Sequence, residues 1–283
     1  MKVGFNMLVC SSLVTREHLP ELKIVKKAGA DGVEIPVMEG KVSHYKELGG
    51  MLDGIGLGRT SAMAILDMAY DPLSDSKKVR QAAVDNMKLM IDRSEAVGAE
   101  VMCGALYQVI GHFSGKAPTE IEKKRAADML RTVAGYAKSA GVKLGIEALN
   151  RFEAYVVTTQ AASADLVKRV GRPNVGLHYD TFHANIEEKD PVGAIKKYGK
   201  IINHFHVSAN DRGTPGQDHI DWKATFKALR GTGYEGWIVV EAFGDALPGL
   251  AAATKIWRKL FDSNEQLIRD SVSFVRKQWN AAK

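Results

Sequence analysis

A closed barrel of eight alternating strands and helices is the fold class that the sequence predicts, on three observations. Four segments that read as buried strands, KLGIEALN, VGLHYDTFH, INHFHVS and GWIVVEAF, end in Glu147, Asp180, His206 and Glu241, all side chains able to ligate a metal. These residues lie 33, 26 and 35 positions apart with a helix-like stretch in each gap, so the unit strand, helix, strand repeats. The phrases AGADGVEI, VGAEVMCG, AGVKLGIE and TGYEGWIVVE share one design, a helix stop followed by a strand. Ligands delivered from strand ends converge only when the strands are parallel neighbours, which is the geometry of a (β/α)8 TIM barrel with its chemistry on the C-terminal rim.

The 283 residues suit one such barrel of roughly 250 residues plus a small extension. No linker rich in Pro, Ser or Gly divides the chain, so a single domain over 1–283 is expected. The first apolar run, VGFNMLVC after Lys2, reads as strand 1 and not as a signal peptide, because Asn6 interrupts it and no Ala-x-Ala site follows. Further strands are expected at 32–38, 59–65 and 101–106, followed by the four named above. Helices start at polar positions such as Thr15 and Thr119, and Gly29, Gly98, Gly141, Gly171 and Gly233 stand where left-handed helix stops belong. Residues 251–279 read as two helices parted near Asp262 to Asn264, the second being a C-terminal addition.

Composition narrows the function classes. Cys10 and Cys103 cannot build a disulfide framework and sit in apolar runs, which agrees with a reducing, cytoplasmic setting. No run approaches the ~18 apolar residues of a spanning helix, so no membrane partner is expected. The net charge of +6 is spread over short clusters such as Lys123-Lys124-Arg125 on helix-like segments, which reads as solvated helix faces and not as a nucleic-acid groove.

Side chains alternate along a strand, so Ile146 and Val240 face the helices while Glu147 and Glu241 face the barrel mouth. An unpaired buried carboxylate is costly, and something must neutralise each. A salt bridge would serve one glutamate, but four ligand-type side chains on four successive strand ends call for a cation. Three carboxylates and one imidazole suit a hard or borderline divalent ion such as Mn²⁺, Co²⁺ or Mg²⁺, with zinc left open. Glu153 follows strand 5, His183 leaves strand 6, and the loop SANDRGTPGQDH carries Arg212; together they suit substrate contact. His204 and His178 share the inward parity but lie deeper, as packed and hydrogen-bonded core histidines. His219 reads as a loop anchor.

The stretches IEALNRFE, YDTFHANIEE, HFHVSANDRG and IVVEAF resemble the ketose 3-epimerases, the D-tagatose and D-allulose (psicose) 3-epimerase group of the xylose isomerase-like barrels. The likeness is specific over residues 143–243 and barrel-like before that. It implies one divalent metal, often Mn²⁺, on Glu147, Asp180, His206 and Glu241. It also implies proton exchange at C3 of a ketose by Glu147 and Glu241, and contacts from Glu153, His183 and Arg212 to the O1 to O3 end of the sugar. It further implies a homodimer or homotetramer, in which Trp257 and Trp279 could pack between subunits. Two departures bear on specificity: the first loop, LVCSSLVTRE, lacks the tryptophan common in the family, and Ala184 opens the stretch Ala-Asn-Ile-Glu-Glu where methionine is usual. Related reactions on a keto sugar, a 3-oxo-glycoside or an inosose are therefore the alternative. Cleavage of damaged DNA, the activity of the related endonuclease IV barrels, needs additional histidines that RTSAMAI and VMCGAL do not supply. A protein that only binds sugar or metal gives no reason for paired carboxylates.

Overall fold

The computed structural model describes residues 1–282. Eight strands, β1 (Lys2–Asn6), β2 (Gly32–Pro36), β3 (Gly58–Ile65), β4 (Val101–Val109), β5 (Lys143–Glu147), β6 (Val175–Asp180), β7 (Ile202–Val207) and β8 (Trp237–Val240), close into one barrel in chain order. Each pairs in parallel with the next, and Val3 opposite Ile238 joins β1 to β8. The helices are α1 (Leu19–Lys27), α2 (Val42–Ile55), α3 (Lys77–Val97), α4 (Glu120–Ser139), α5 (Gln160–Val170), α6 (Thr181–Glu187), α7 (Pro191–Tyr198), α8 (Trp222–Gly231), α9 (Pro248–Thr254) and α10 (Asn264–Ala281).

Local chemistry accounts for many of the boundaries. Thr119 caps α4 in a reciprocal box with Glu122, and Ser76 and Thr159 cap α3 and α5. All five glycines expected as helix stops take φ between 62° and 91°, where a Cβ would be strained. Of the expected C-terminal pair, the second forms as α10, whereas the first stops at Thr254 as α9 and residues 255–263 are not helical. Helix α9 is short, and α10 packs on β1 and β8 between α1 and α8, which completes the outer ring. No helix among the described residues is long and apolar enough to cross a membrane.

The barrel floor is filled by Trp237. A Cβ at Gly32 would stand 2.6 Å from its ring and 2.2 Å from the Gly58 carbonyl oxygen, so glycine on β2 clears the space that the indole occupies. Above this floor the interior turns polar: Asn6, Glu34, Thr60, His178, His204 and His206 are each at most 1% exposed. The β6–β7 register shifts between Leu177 and His178, a local irregularity of the kind that re-aims side chains beside sites.

Candidate active site

Glu147, Asp180, His206 and Glu241 converge at the C-terminal end of the barrel, delivered by the ends of β5 to β8. Asp180 terminates β6 and caps α6, and this divides its two oxygens. Oδ1 accepts from the backbone N–H groups of Phe182 (2.6 Å) and His183 (3.0 Å), whereas buried Oδ2 has no hydrogen-bond partner among the described residues. His206 is the counterpart on β7. Its Nδ1 lies 3.5 Å from Asp180 Oδ2 and 3.4 Å from Glu241 Oε1 without making a hydrogen bond to either. One ligand atom each from Glu147, Asp180 and His206 falls within 4.8 Å of the others.

These atoms fit a divalent cation. The two orphaned atoms point toward the shared space, and the remaining charges there are negative. Burial, reinforced by the Glu241 and Asp180 charges, pushes the Glu147 carboxyl well above the usual range. Burial pulls the His206 imidazole down, but Glu34 and Glu241 outweigh it and raise the ring well above its ordinary value. A cation among these groups would relieve the like-charge repulsion behind the Glu147 shift and take the place of the proton that the carboxylates favour on His206. Carboxylate oxygens with a single imidazole favour a hard or borderline ion.

Beside this cluster lies a hydrogen-bonded network from the loop after β5, helix α6 and the loop after β7. The Asn150 backbone N–H donates to His183 Nδ1 (3.0 Å), so the neutral ring carries its proton on Nε2, which faces Glu147 Oε1 at 3.6 Å. Burial lowers the His183 pKa to about 3, with Arg212 adding to the effect, so the ring is a fixed neutral donor. Asn150 Nδ2 donates to Glu153 Oε1 (2.9 Å), and Arg212 Nη2 donates to the same oxygen (3.0 Å). The Arg212 guanidinium lies 4.1 Å from the Phe182 ring centroid and 4.9 Å from that of Phe243. Arg212 has φ of 66°, a left-handed conformation that costs a non-glycine residue on the order of 1 kcal/mol or more. The bonds from Arg212 N to Ala209 O and from Phe243 N to Arg212 O, both 2.9 Å, hold it there. Every site residue expected from the sequence therefore lies in one of two adjoining groups.

Glu34, Asn6 and Asn150 join the site beyond the residues expected from the sequence. Glu34 in GVEIPVM carries the same signal as Glu147, a carboxylate among apolar neighbours. Burial opposes its charge, but His206 and His204 hold its carboxyl well below the usual range. His178 and His204 are buried as expected but not hydrogen-bonded as expected. Neither ring makes an aligned hydrogen bond among the described residues, although His204 Nε2 comes within 2.7 Å of Glu34 Oε2. His219 does anchor a loop, through Asn185 Oδ1 at 3.2 Å.

A parallel eight-stranded barrel with carboxylates and an imidazole gathered on its C-terminal rim is an architecture suited to metal-assisted catalysis. The chain belongs to the xylose isomerase-like TIM barrel family, which it matches over residues 22–278. It is 29% identical to the ketose 3-epimerase of Arthrobacter globiformis, over 100% of this chain and 98% of that protein. Its fold superposes on an L-ribulose 3-epimerase with TM-score 0.91 at 30% identity, covering 99% of this chain and 95% of the other. A D-psicose 3-epimerase from Clostridium cellulolyticum H10, solved with D-tagatose, gives 0.90 at 27% identity over 99% of each chain. By their names these relatives are epimerases, enzymes of the isomerase class.

Proposed function

We propose that the chain is a metal-dependent ketose 3-epimerase, with Glu147, Asp180, His206 and Glu241 as metal ligands and Glu147 and Glu241 as the proton-transfer pair. The observation that carries this reading is the pair of carboxylates, Glu147 at the end of β5 and Glu241 at the end of β8, gathered with Asp180 and His206 on one rim site. Two carboxylates reaching one site from different strands are what a proton exchange on opposite faces of a carbon needs.

Epimerisation beside a ketone breaks the C3–H bond and leaves the electron pair in a C2–C3 enediolate. One carboxylate takes the proton, and the other glutamate returns one to the opposite face, with the roles exchanged in the reverse direction. A bound divalent ion, Mn²⁺ by preference with Co²⁺ or Mg²⁺ as substitutes, would supply positive charge for the developing enediolate. His183 presents a fixed Nε2–H donor to a sugar oxygen. Glu153 and Arg212, held by Asn150 and the two aromatic rings, orient the O1 to O3 end.

Substituting Arg212 by Ala should raise KM roughly tenfold or more while kcat falls little, since a hydrogen bond to a charged group contributes ~1.5–3 kcal/mol and this one acts equally in ground and transition states. Steady-state kinetics on a variant with an unchanged melting curve checks this. A kcat loss equal to the loss in kcat/KM would instead place Arg212 at the reacting carbon.

A second reading, action on a 3-oxo-glycoside, is favoured by the two departures from the family pattern, the first loop without tryptophan and Ala184 after β6. The deciding experiment is a panel of free ketohexoses, ketopentoses and 3-oxo-glycosides with Mn²⁺, followed by NMR. C3-epimer pairs from free ketoses support the first reading; conversion of glycosides alone transfers the proposal to the second. A homodimer or homotetramer in the cytoplasm completes the proposal. Trp257, 74% exposed, is available for subunit packing, whereas Trp279 is engaged within the chain by Arg230.

A further inference from the structure

Beneath the candidate ligands lies a carboxylate that the proposed reaction does not use. Glu34, in the middle of β2 and 0% exposed, reaches across the barrel interior to β7. Its Oε1 lies 2.7 Å from His206 Nε2 and accepts from Asn6 Nδ2 at 2.9 Å. Its Oε2 accepts from Thr60 Oγ1 (2.8 Å) and Cys103 Sγ (3.2 Å) and faces His204 Nε2 at 2.7 Å. Each oxygen thus meets at least two donors, and no acceptor competes for it in this set.

We infer that Glu34 is a positioning residue that holds the Nε2 proton of His206, turns the Nδ1 lone pair to the cation site, and braces Glu241 through Asn6. A bare Nε2 would set its lone pair against a carboxylate lone pair at 2.7 Å, so Nε2 must carry the hydrogen. Nδ1 is then the ring's free ligand atom, and it is the one beside Asp180 Oδ2 and Glu241 Oε1. The Asn6 arm is fixed independently. Its Oδ1 accepts from the Leu8 backbone N–H (2.8 Å), which turns Nδ2 inward, where it contacts both Glu34 Oε1 and Glu241 Oε1 (3.3 Å). One buried anion therefore orients two of the four proposed ligands, from β7 and β8. Outer contacts of this kind fix ring orientation and raise ligand basicity at metal sites.

The inference rests on the metal reading proposed above, and two measurements on the full chain separate them. In the first, Mn²⁺ is titrated calorimetrically into metal-free wild type and Glu34→Gln. The variant keeps the side-chain shape but sets an amide against the histidines, and its Kd should rise ~10–100-fold. In the second, ring-nitrogen NMR of histidine-labelled wild type is recorded without metal and with diamagnetic Zn²⁺, with His206 assigned by the signals lost in His206→Asn. The Nε2 proton should be present in both states, and in Glu34→Gln its signal should move or vanish. Wild type that binds no Mn²⁺ overturns the metal reading, and the metal-free spectrum then decides the role of Glu34 alone. A Glu34→Gln variant that binds Mn²⁺ within ~3-fold of wild type with unchanged His206 signals overturns the inference, because the expected loss is at least tenfold. Should that variant not fold, the wild-type spectra decide: an Nε2 without a proton overturns the inference, and a protonated, hydrogen-bonded Nε2 upholds it.

Discussion

Glu241→Gln should lower turnover of the best ketose by at least ~10²-fold, the usual scale for removing a general acid or base. Gln keeps the length of the side chain and can still accept the hydrogen bond from Asn6, so the loss isolates the proton-accepting function. Glu147→Gln should cost as much, because each direction of the reaction needs both groups. Both residues are also proposed ligands, so metal content must be measured on the same samples. Near-wild-type epimerisation by a metal-loaded Glu241→Gln variant would remove Glu241 from the chemistry.

Removing the divalent ion should abolish turnover, and Mn²⁺ or Co²⁺ should restore it, with about one ion per chain by elemental analysis. A preparation free of metal yet fully active would end the metal reading. The same site makes a pH prediction. In the metal-free chain, burial together with Glu241 and Asp180 keeps Glu147 protonated where an unfolded chain has lost that proton. The stability this lends is complete below the ordinary carboxylate pKa and is lost as pH rises through the raised value. His206, also raised, follows the same sign at higher pH. A bound cation must displace these protons, so the gain in Tm on adding Mn²⁺ should be larger near pH ~8 than near pH ~5.5. The gain is the quantity to compare, since His183, lowered to about 3, shifts the metal-free Tm in the opposite sense below its unfolded pKa.

The barrel and the four converging candidate ligands are legible because strands and strand ends leave local marks. A charged or imidazole side chain closing an apolar run, repeated at the spacing of a strand–helix unit, has few readings other than a rim site. Glu34 bears a similar mark but sits in mid-strand, and its meaning appears only when β2 is seen to reach β7 across the interior. Asn6 read as an interruption of an apolar run for the same reason. His178 and His204 show the limit of parity: alternation places them inside the barrel but cannot tell whether a partner awaits them. Asn150 after β5, Phe182 in α6 and Phe243 after β8 support the Glu153–Arg212 pair, and no local pattern links those segments. Residues 251–279 gave two helices by periodicity, while the place of α10 in the ring follows from its packing on β1 and β8.

The most direct test of the central claim is incubation of the Mn²⁺-loaded chain with D-tagatose, D-fructose or L-ribulose in D₂O, read by NMR. Removal and return of the C3 proton predicts deuterium at C3, appearing with the C3 epimer, while C4 to C6 stay unlabelled. Label confined to C1 or C2 would mean aldose–ketose isomerisation. No exchange at C3 in any ketose, with metal bound and the chain folded, would contradict the 3-epimerase account and leave the 3-oxo-glycoside reading in its place.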